Sequence, residues 1–348
     1  MSSDNKTTTE VKLDRPIDIN IEDNINEFIN DGVTVIENVF SDEEIDAIRE
    51  QLHDQLRSMG MDHEKILSGE TKPSSDVRIK AKPSRIFYNK WKIDAHTNPK
   101  VYYCMKRLMD RTFTSGIEPG FEHPMGRPEV AFSQPKVTPG SEGRSSTDIL
   151  AYVDRICYRT PDHIRAEGGL GLHLDRNPTD PYLLKSNTLK MWRPIQAFIA
   201  LTDQYGSESG GLRVVRGFHK EIDEYFENNT EDINNKGCFF RLNSKSHAKL
   251  EKRCQPVNVR RGSIVCWDNR LPHATAQKLT SLDTREVVYI GYLPDVNLNV
   301  KYIKDQLQHI KQNIAPPAYC DDPTEHVDRD WDESELTPLQ RHLLGFDL

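Results

Sequence analysis

The sequence predicts a mainly β fold with flanking α-helices, organised around a jelly-roll type sandwich or barrel. Three observations carry that prediction. From about residue 148 the chain becomes a series of short apolar or alternating runs: Ile149 to Tyr158, Leu170 to Asp175, Gln196 to Thr202, Leu212 to Val215, Val257 to Arg260, Ser263 to Trp267 and Arg285 to Tyr292. Each has the length and composition of a strand. Turn residues such as Ser209-Gly210-Gly211 and Arg261-Gly262 separate them, and a few long insertions interrupt the series, as in a jelly roll.

The elements follow in order. Residues 1–20 are rich in Asp, Asn, Lys and Thr with few apolar anchors and read as a disordered tail. One domain is expected over 21–348, with a helical N-terminal part (21–147), a β core (148–295) and a C-terminal helical extension (296–348). A short helix from Asp23 to Asn30 precedes a strand, Gly32 to Ile36. The next helix is announced clearly: Ser41 is an N-cap, Glu44 completes a capping box, and Phe40 before the cap can staple onto Ile45. Ile45, Ile48, Leu52 and Leu56 mark its buried stripe. Residues 67–85 carry Arg78, Lys80, Lys82 and Arg85, read as a solvated loop in preference to a basic rim that attracts an anionic substrate. A helix from Pro99 to about Phe113 follows, and then a Gly/Pro/Ser loop over 134–147 of the kind that forms lids. Helices over Val300 to Asn313 and Leu336 to Leu344 end the chain.

Composition narrows the class. With 29% charged and 36% hydrophobic residues the 348-residue chain is an ordinary globular protein, and its net charge of −8 disfavours general nucleic-acid binding. No run approaches the roughly 20 apolar residues that span a bilayer. The six cysteines form no Cys-x-x-Cys pair, which fits free thiols in a reducing, cytoplasmic setting. A small-molecule substrate is expected, with no nucleic-acid or membrane partner.

The chemistry concentrates in three side chains. In Gly168-Gly-Leu-Gly-Leu-His173-Leu-Asp175, alternation puts His173 and Asp175 on one face of an extended segment and the leucines on the other. A second histidine stands far downstream in Trp267-Asp-Asn-Arg-Leu-Pro-His273. Two imidazoles and one carboxylate with open positions form the facial triad of non-heme Fe(II) oxygenases. Arg285 opens an apolar strand 12 residues later, where alternation groups it with Val287, Tyr289 and Gly291 and turns its guanidinium inward, in need of a carboxylate. Thr275 can add a hydroxyl contact. Two rival pairs are set aside. His326 and Asp328 lie in a polar tail, and His219 and Glu221 open a polar helix, where they read as structural or substrate-loop residues.

These pieces resemble a known family. Phe28 to Phe40 with the Ser41-Asp-Glu-Glu-Ile45 helix, then His173-Leu-Asp175, Trp192-Arg-Pro-Ile-Gln196, Ser209 to Lys220, Gly262-Ser-Ile-Val-Cys-Trp267, His273-Ala-Thr275 and Arg285 occur in the order of the phytanoyl-CoA dioxygenase family of Fe(II)/2-oxoglutarate oxygenases. The resemblance covers roughly residues 25–295. It implies a double-stranded β-helix, cupin-like core, with Fe(II) held by His173, Asp175 and His273. It further implies 2-oxoglutarate chelating that iron, with its far carboxylate on Arg285 and Thr275, and Trp192 and Gln196 near the co-substrate. One departure is Arg216-Gly-Phe-His219, where many members have Pro-Gly-Ser-His. Because Asp175 is present, the implied reaction is hydroxylation or a related oxidation of a C–H bond. It consumes O2, yields succinate and CO2, and uses ascorbate as a reductant. The alternatives are a non-catalytic metabolite-binding or sensing member and an oxygenase acting on a macromolecule.

Overall fold

The computed structural model describes residues 17–71, 86–114, 148–175, 178, 191–229, 239–242, 245–320, 324 and 326–348. The expectations for the tail before residue 17, for Arg78, Lys80, Lys82 and Arg85, and for the loop 134–147 lie outside these residues.

Among the described residues the strands are β1 (Val33–Ile36), β2 (Ile149–Arg159), β3 (His173–Leu174), β4 (Ile195–Ala200), β5 (Leu212–Val214), β6 (Phe240–Arg241), β7 (Gln255–Pro256), β8 (Ile264–Asp268), β9 (His273–Thr275) and β10 (Arg285–Pro294). The helices are α1 (Glu22–Asp31), α2 (Asp42–Ser58), α3 (His63–Leu67), α4 (Lys90–His96), α5 (Pro99–Arg111), α6 (Ile222–Asn228), α7 (Ala248–Arg253), α8 (Asn297–Gln312) and α9 (Pro338–Leu343). Strands form two five-stranded sheets, ordered β1-β8-β4-β10-β2 and β6-β3-β9-β5-β7. Every pairing within them is antiparallel.

Period-2 alternation decides what each face of the first sheet meets. Ile36, Ile199, Cys266, Val288 and Ile290 share one core with the α2 stripe of Ile45, Ile48, Leu52 and Leu56, so this face is roofed by helices. The intervening residues Val33, Phe198, Val265, Trp267 and Val287 join Leu212 and Val214 of the second sheet in another core. The outer face of the second sheet is sealed by aromatics. Leu174 lies opposite Phe240, and the Phe240 ring meets Phe226 of α6 at 5.6 Å, edge to face.

The α2 cap forms as its sequence dictates. Ser41 Oγ accepts from the Glu44 amide at 3.2 Å, while Glu44 accepts from the Ser41 amide at 2.7 Å. A buried carboxylate, Glu286 on β10, ties α2 to the sheet. Arg49 Nε donates to it at 2.8 Å, the Thr284 hydroxyl at 2.6 Å, and His53 Nε2 lies 2.8 Å away.

Two expected strands contract. The run 170–175 keeps ladder pairing only at His173–Leu174, because the Leu170 amide bonds the Thr275 hydroxyl (2.6 Å) rather than a carbonyl. There, a Cβ on Gly169 would stand 2.3 Å from the Thr275 carbonyl oxygen. The run 257–260 is reduced to a single bridge, Gln204 to Val259. Helices α3, α4 and α7 were not anticipated, being too short to show a periodic stripe.

Candidate metal centre

Register, rather than proximity in sequence, builds the centre. His173 on β3 lies directly opposite His273 on β9. Opposed residues of an antiparallel pair present their side chains on the same face, so two imidazoles 100 positions apart come together with ring centroids 4.2 Å apart. Asp175, two residues beyond His173, adds its carboxylate. Oδ1 lies 3.4 Å from His173 Nε2 and Oδ2 lies 3.7 Å from His273 Nε2. One donor atom from each of the three falls within 4.8 Å of the others.

The tautomers follow from backbone geometry. His173 Nδ1 lies 2.7 Å from the Gly171 carbonyl and His273 Nδ1 3.1 Å from the Leu271 carbonyl. A carbonyl oxygen only accepts, so each Nδ1 carries the hydrogen and each Nε2 offers a lone pair. Two lone pairs and a carboxylate thus converge at separations too long for direct hydrogen bonds. Neighbouring ligands about 2.1 Å from a shared ion sit about 3 Å apart, close to what is seen. Burial, then the adjacent His173, push the His273 imidazole below its ordinary value, keeping it in the ligating form. Desolvation pushes the Asp175 carboxyl up, yet the group is held well below the usual carboxylate range, with the Arg193 guanidinium 3.8 Å away.

The trio lies in a cavity of about 410 Å³ between the sheets. Gln196 lines it and donates to Asp175 Oδ2 at 2.7 Å, fixing the carboxylate. Gln196 Oε1 and Trp267 Nε1 are buried without a hydrogen-bond partner among the described residues. At the deep end Arg285 is 2% exposed. Its Nε donates to Gln204 Oε1 at 2.9 Å and its Nη1 reaches Cys157 Sγ at 3.2 Å. Among the described residues no carboxylate pairs with it, and a guanidinium sealed among neutral partners is costly unless an anion completes it. Arg285, Tyr289 and Gly291 line the cavity together, whereas Val287, expected with them, packs in the core and Ile290 also reaches the cavity wall. Thr275 lines it as well, its hydroxyl accepting from Leu170.

Trp192 is not brought to the cavity wall. Its amide and carbonyl are both tied to the Asn299 side chain (2.8 and 3.0 Å), and the neighbouring Arg193 takes the cavity position instead. His219 also stands apart from the centre. Its Nε2 donates to the Ile29 carbonyl at 3.1 Å, and its ring packs so closely on Gly32 that a Cβ there would meet Nδ1 at 2.6 Å.

Sequence reasoning missed Arg193, Asp154 and Tyr319, which line the outer half of the cavity. Arg193 belongs to a motif already singled out, Trp192-Arg-Pro-Ile-Gln196, but Pro194 breaks the alternation that would have placed it. A second cluster, His53, His63 and Glu286, lies across the sheet from Arg285. Its carboxylate already holds Arg49 and Thr284, which makes it a structural hub.

Comparison with known proteins adds the following. Residues 178–342 match the Gig2-like family model, a stretch that includes His273 and Arg285 and begins just after Asp175. A Dictyostelium discoideum protein named "Putative phytanoyl-CoA dioxygenase" is 26% identical over 195 residues, which is 48% of this chain and 54% of that protein. The chain therefore matches about half the length of that relative. Two crystal structures share the fold over 92% of this chain. GlcNAc Inducible Gene 2 (GIG2, DUF1479) from Candida albicans has 17% identity, TM-score 0.65 and 75% of its own chain covered. Hypothetical protein JW0805 from Escherichia coli has 16% identity, TM-score 0.62 and 81% covered. The matching family model thus differs from the one the motif order pointed to, and the phytanoyl-CoA likeness is carried by the Dictyostelium relative. Among the described residues no helix is long and apolar enough to cross a membrane.

Proposed function

We propose that this protein is an Fe(II)- and 2-oxoglutarate-dependent oxygenase with a double-stranded β-helix core. In this reading it oxidises a C–H bond of a small molecule and releases succinate and CO2. The observation that carries the reading is the convergence of His173 Nε2, His273 Nε2 and the Asp175 carboxylate within 4.8 Å, with both Nδ1 atoms already donated to carbonyls. A nitrogen and oxygen set without thiolate suits Fe(II). Support for the co-substrate comes from Arg285, a buried cation that no carboxylate pairs with among the described residues, and the name of the Dictyostelium relative points the same way.

The residues divide the work. His173, Asp175 and His273 hold the metal, and Gln196 orients the carboxylate. Arg285 and Thr275 receive the far carboxylate of 2-oxoglutarate, while Phe198 and Trp267 keep that end of the cavity dry. When bound, iron and 2-oxoglutarate supply the activation of O2 that the protein's own side chains cannot perform. Placement of the C–H bond is left to the outer half of the cavity.

Purified protein supplied with Fe(II), 2-oxoglutarate and ascorbate is expected to release succinate. Arg285→Ala should lower that output by roughly tenfold or more, given the worth of a charge-assisted hydrogen bond. Absence of iron-dependent succinate in the unaltered protein, across a broad substrate panel, would overturn the assignment. A non-catalytic binding protein would instead hold 2-oxoglutarate in a metal-dependent way without consuming it.

A further inference from the structure

The outer half of the cavity brings arginines and carboxylates together beside the metal ligands. Arg155 and Arg193 both line it. Glu167, also on its wall, is paired with Arg165 at 3.4 Å, and the carboxylates nearest Arg193 are Asp154 and the metal-facing Asp175. A β-bulge sets Asp154 there, since the pairing of β2 with β10 shifts register between Val288 and Ile290. Its Oδ1 accepts from the Tyr319 hydroxyl and the Arg155 amide, each at 2.6 Å.

Arg193 is the informative group. Its side chain is 15% exposed, and the nearest carboxylate oxygens stand 3.8 Å (Asp175) and 4.0 Å (Asp154) away, beyond hydrogen-bond reach. The guanidinium lies over the Tyr152 ring at 5.5 Å. Arg155 lies over the Tyr319 ring at 4.5 Å, and the Tyr152 and Tyr319 hydroxyls are joined at 2.8 Å. Two cations are therefore stacked on a linked pair of tyrosines that holds their planes in place, and both line the cavity that contains the metal ligands.

We propose that the substrate is a small anion, a carboxylate or a phosphate ester, whose charged group is gripped by Arg193 with Arg155 beside it. Because Arg193 stands next to the ligand Asp175, the carbon to be oxidised lies close to that charged group rather than at the end of a long chain. The oxidation in this inference rests on the oxygenase reading; the anion site does not, and the test separates the two.

Ligand-observed NMR would compare benzoate and cyclohexanecarboxylate with benzamide and cyclohexanecarboxamide, and with phenyl phosphate. The full chain would carry Zn(II), with 2-oxoglutarate at saturation. Anionic probes are expected to bind, with affinity falling roughly tenfold in Arg193→Gln, recovering in part in Arg193→Lys, and unchanged in Arg260→Gln, an exposed arginine away from the cavity. The amides should bind more weakly and ignore all three substitutions. Whether benzoate or phenyl phosphate binds more tightly assigns the charged group. Equal binding of acids and amides would overturn the inference. So would acid binding that survives Arg193→Gln, or that falls equally in Arg260→Gln. Melting curves and Zn(II) titration of each variant show that fold and metal site persist. Succinate release, measured separately, decides the oxygenase reading whatever the probes do.

Discussion

Gln196 and Lys92 show how far a single side chain reaches in this molecule. Gln196 touches no ligand of its own, yet its Nε2 donates to the metal-facing carboxylate at 2.7 Å. Gln196→Leu is expected to weaken Fe(II) or Co(II) binding by about 10- to 100-fold, read by titration, with little change in fold. Lys92 is fully buried and donates to the Phe87 carbonyl at 3.1 Å. Burial pushes its ammonium down to about 7. The unfolded chain holds this proton up to its ordinary value near 10.4 and the folded chain does not, so Lys92 makes stability rise with pH between about 7 and about 10 and adds no slope below 7. Lys92→Met should therefore stabilise the protein by about 2–4 kcal/mol at pH 7. The gain should shrink toward pH 10 in denaturant titrations. At this scale the sequence was legible where a residue obeyed alternation, as His173, Asp175 and Arg285 do. It was opaque at Trp192 and Arg193, where Pro194 removes the regularity that assigns a face.

Among the elements, β10 does the most to link the halves of the molecule, because consecutive residues serve opposite sides. Arg285 enters the cavity while Glu286 turns to α2. Burial raises the Glu286 carboxyl, but the His53 and Arg49 contacts outweigh it and hold the group at about 2. Its contribution is present above the ordinary glutamate value and is lost as pH falls from about 4.3 toward about 2. Glu286→Gln should cost about 3–5 kcal/mol at pH 7, and urea curves for the two proteins should converge as pH approaches 2. Among the described residues, the longer helices, such as α2 with its capping box, were readable in advance. The bulge that aims Asp154 was not, because an extra residue in β2 is visible only against its partner strand. Gly291 shows a similar dependence: a Cβ there would come within 2.2 Å of the Tyr152 ring, a constraint imposed by a neighbour 139 positions earlier.

On the scale of the whole molecule, two sheets under a helical roof surround one cavity, to whose wall a C-terminal segment returns Tyr319. Anything that binds only the folded chain stabilises it by mass action. Fe(II) at about 100 times its dissociation constant should add about 2.7 kcal/mol, and 2-oxoglutarate should raise the melting temperature further only when metal is present. EDTA should reverse both increments, and Arg285→Ala should abolish the second alone, as differential scanning fluorimetry would show. The general plan, strands from 148 onward with helices before and after, was legible because binary patterning fixes fold class. The contact of the C-terminal segment with the cavity was not, since nothing local in Pro317–Tyr319 distinguishes a wall residue from a surface one. The opposed pair His173 and His273 has one more consequence. Slipping β3 past β9 by a single position would send the His173 imidazole and the Asp175 carboxylate to the far side of the sheet. A metal ion would then find two of its three protein ligands, His173 and Asp175, missing, so tight metal capture would report that two distant segments have been zipped together correctly. During folding the ion would act as a proofreader of strand pairing as well as a reagent.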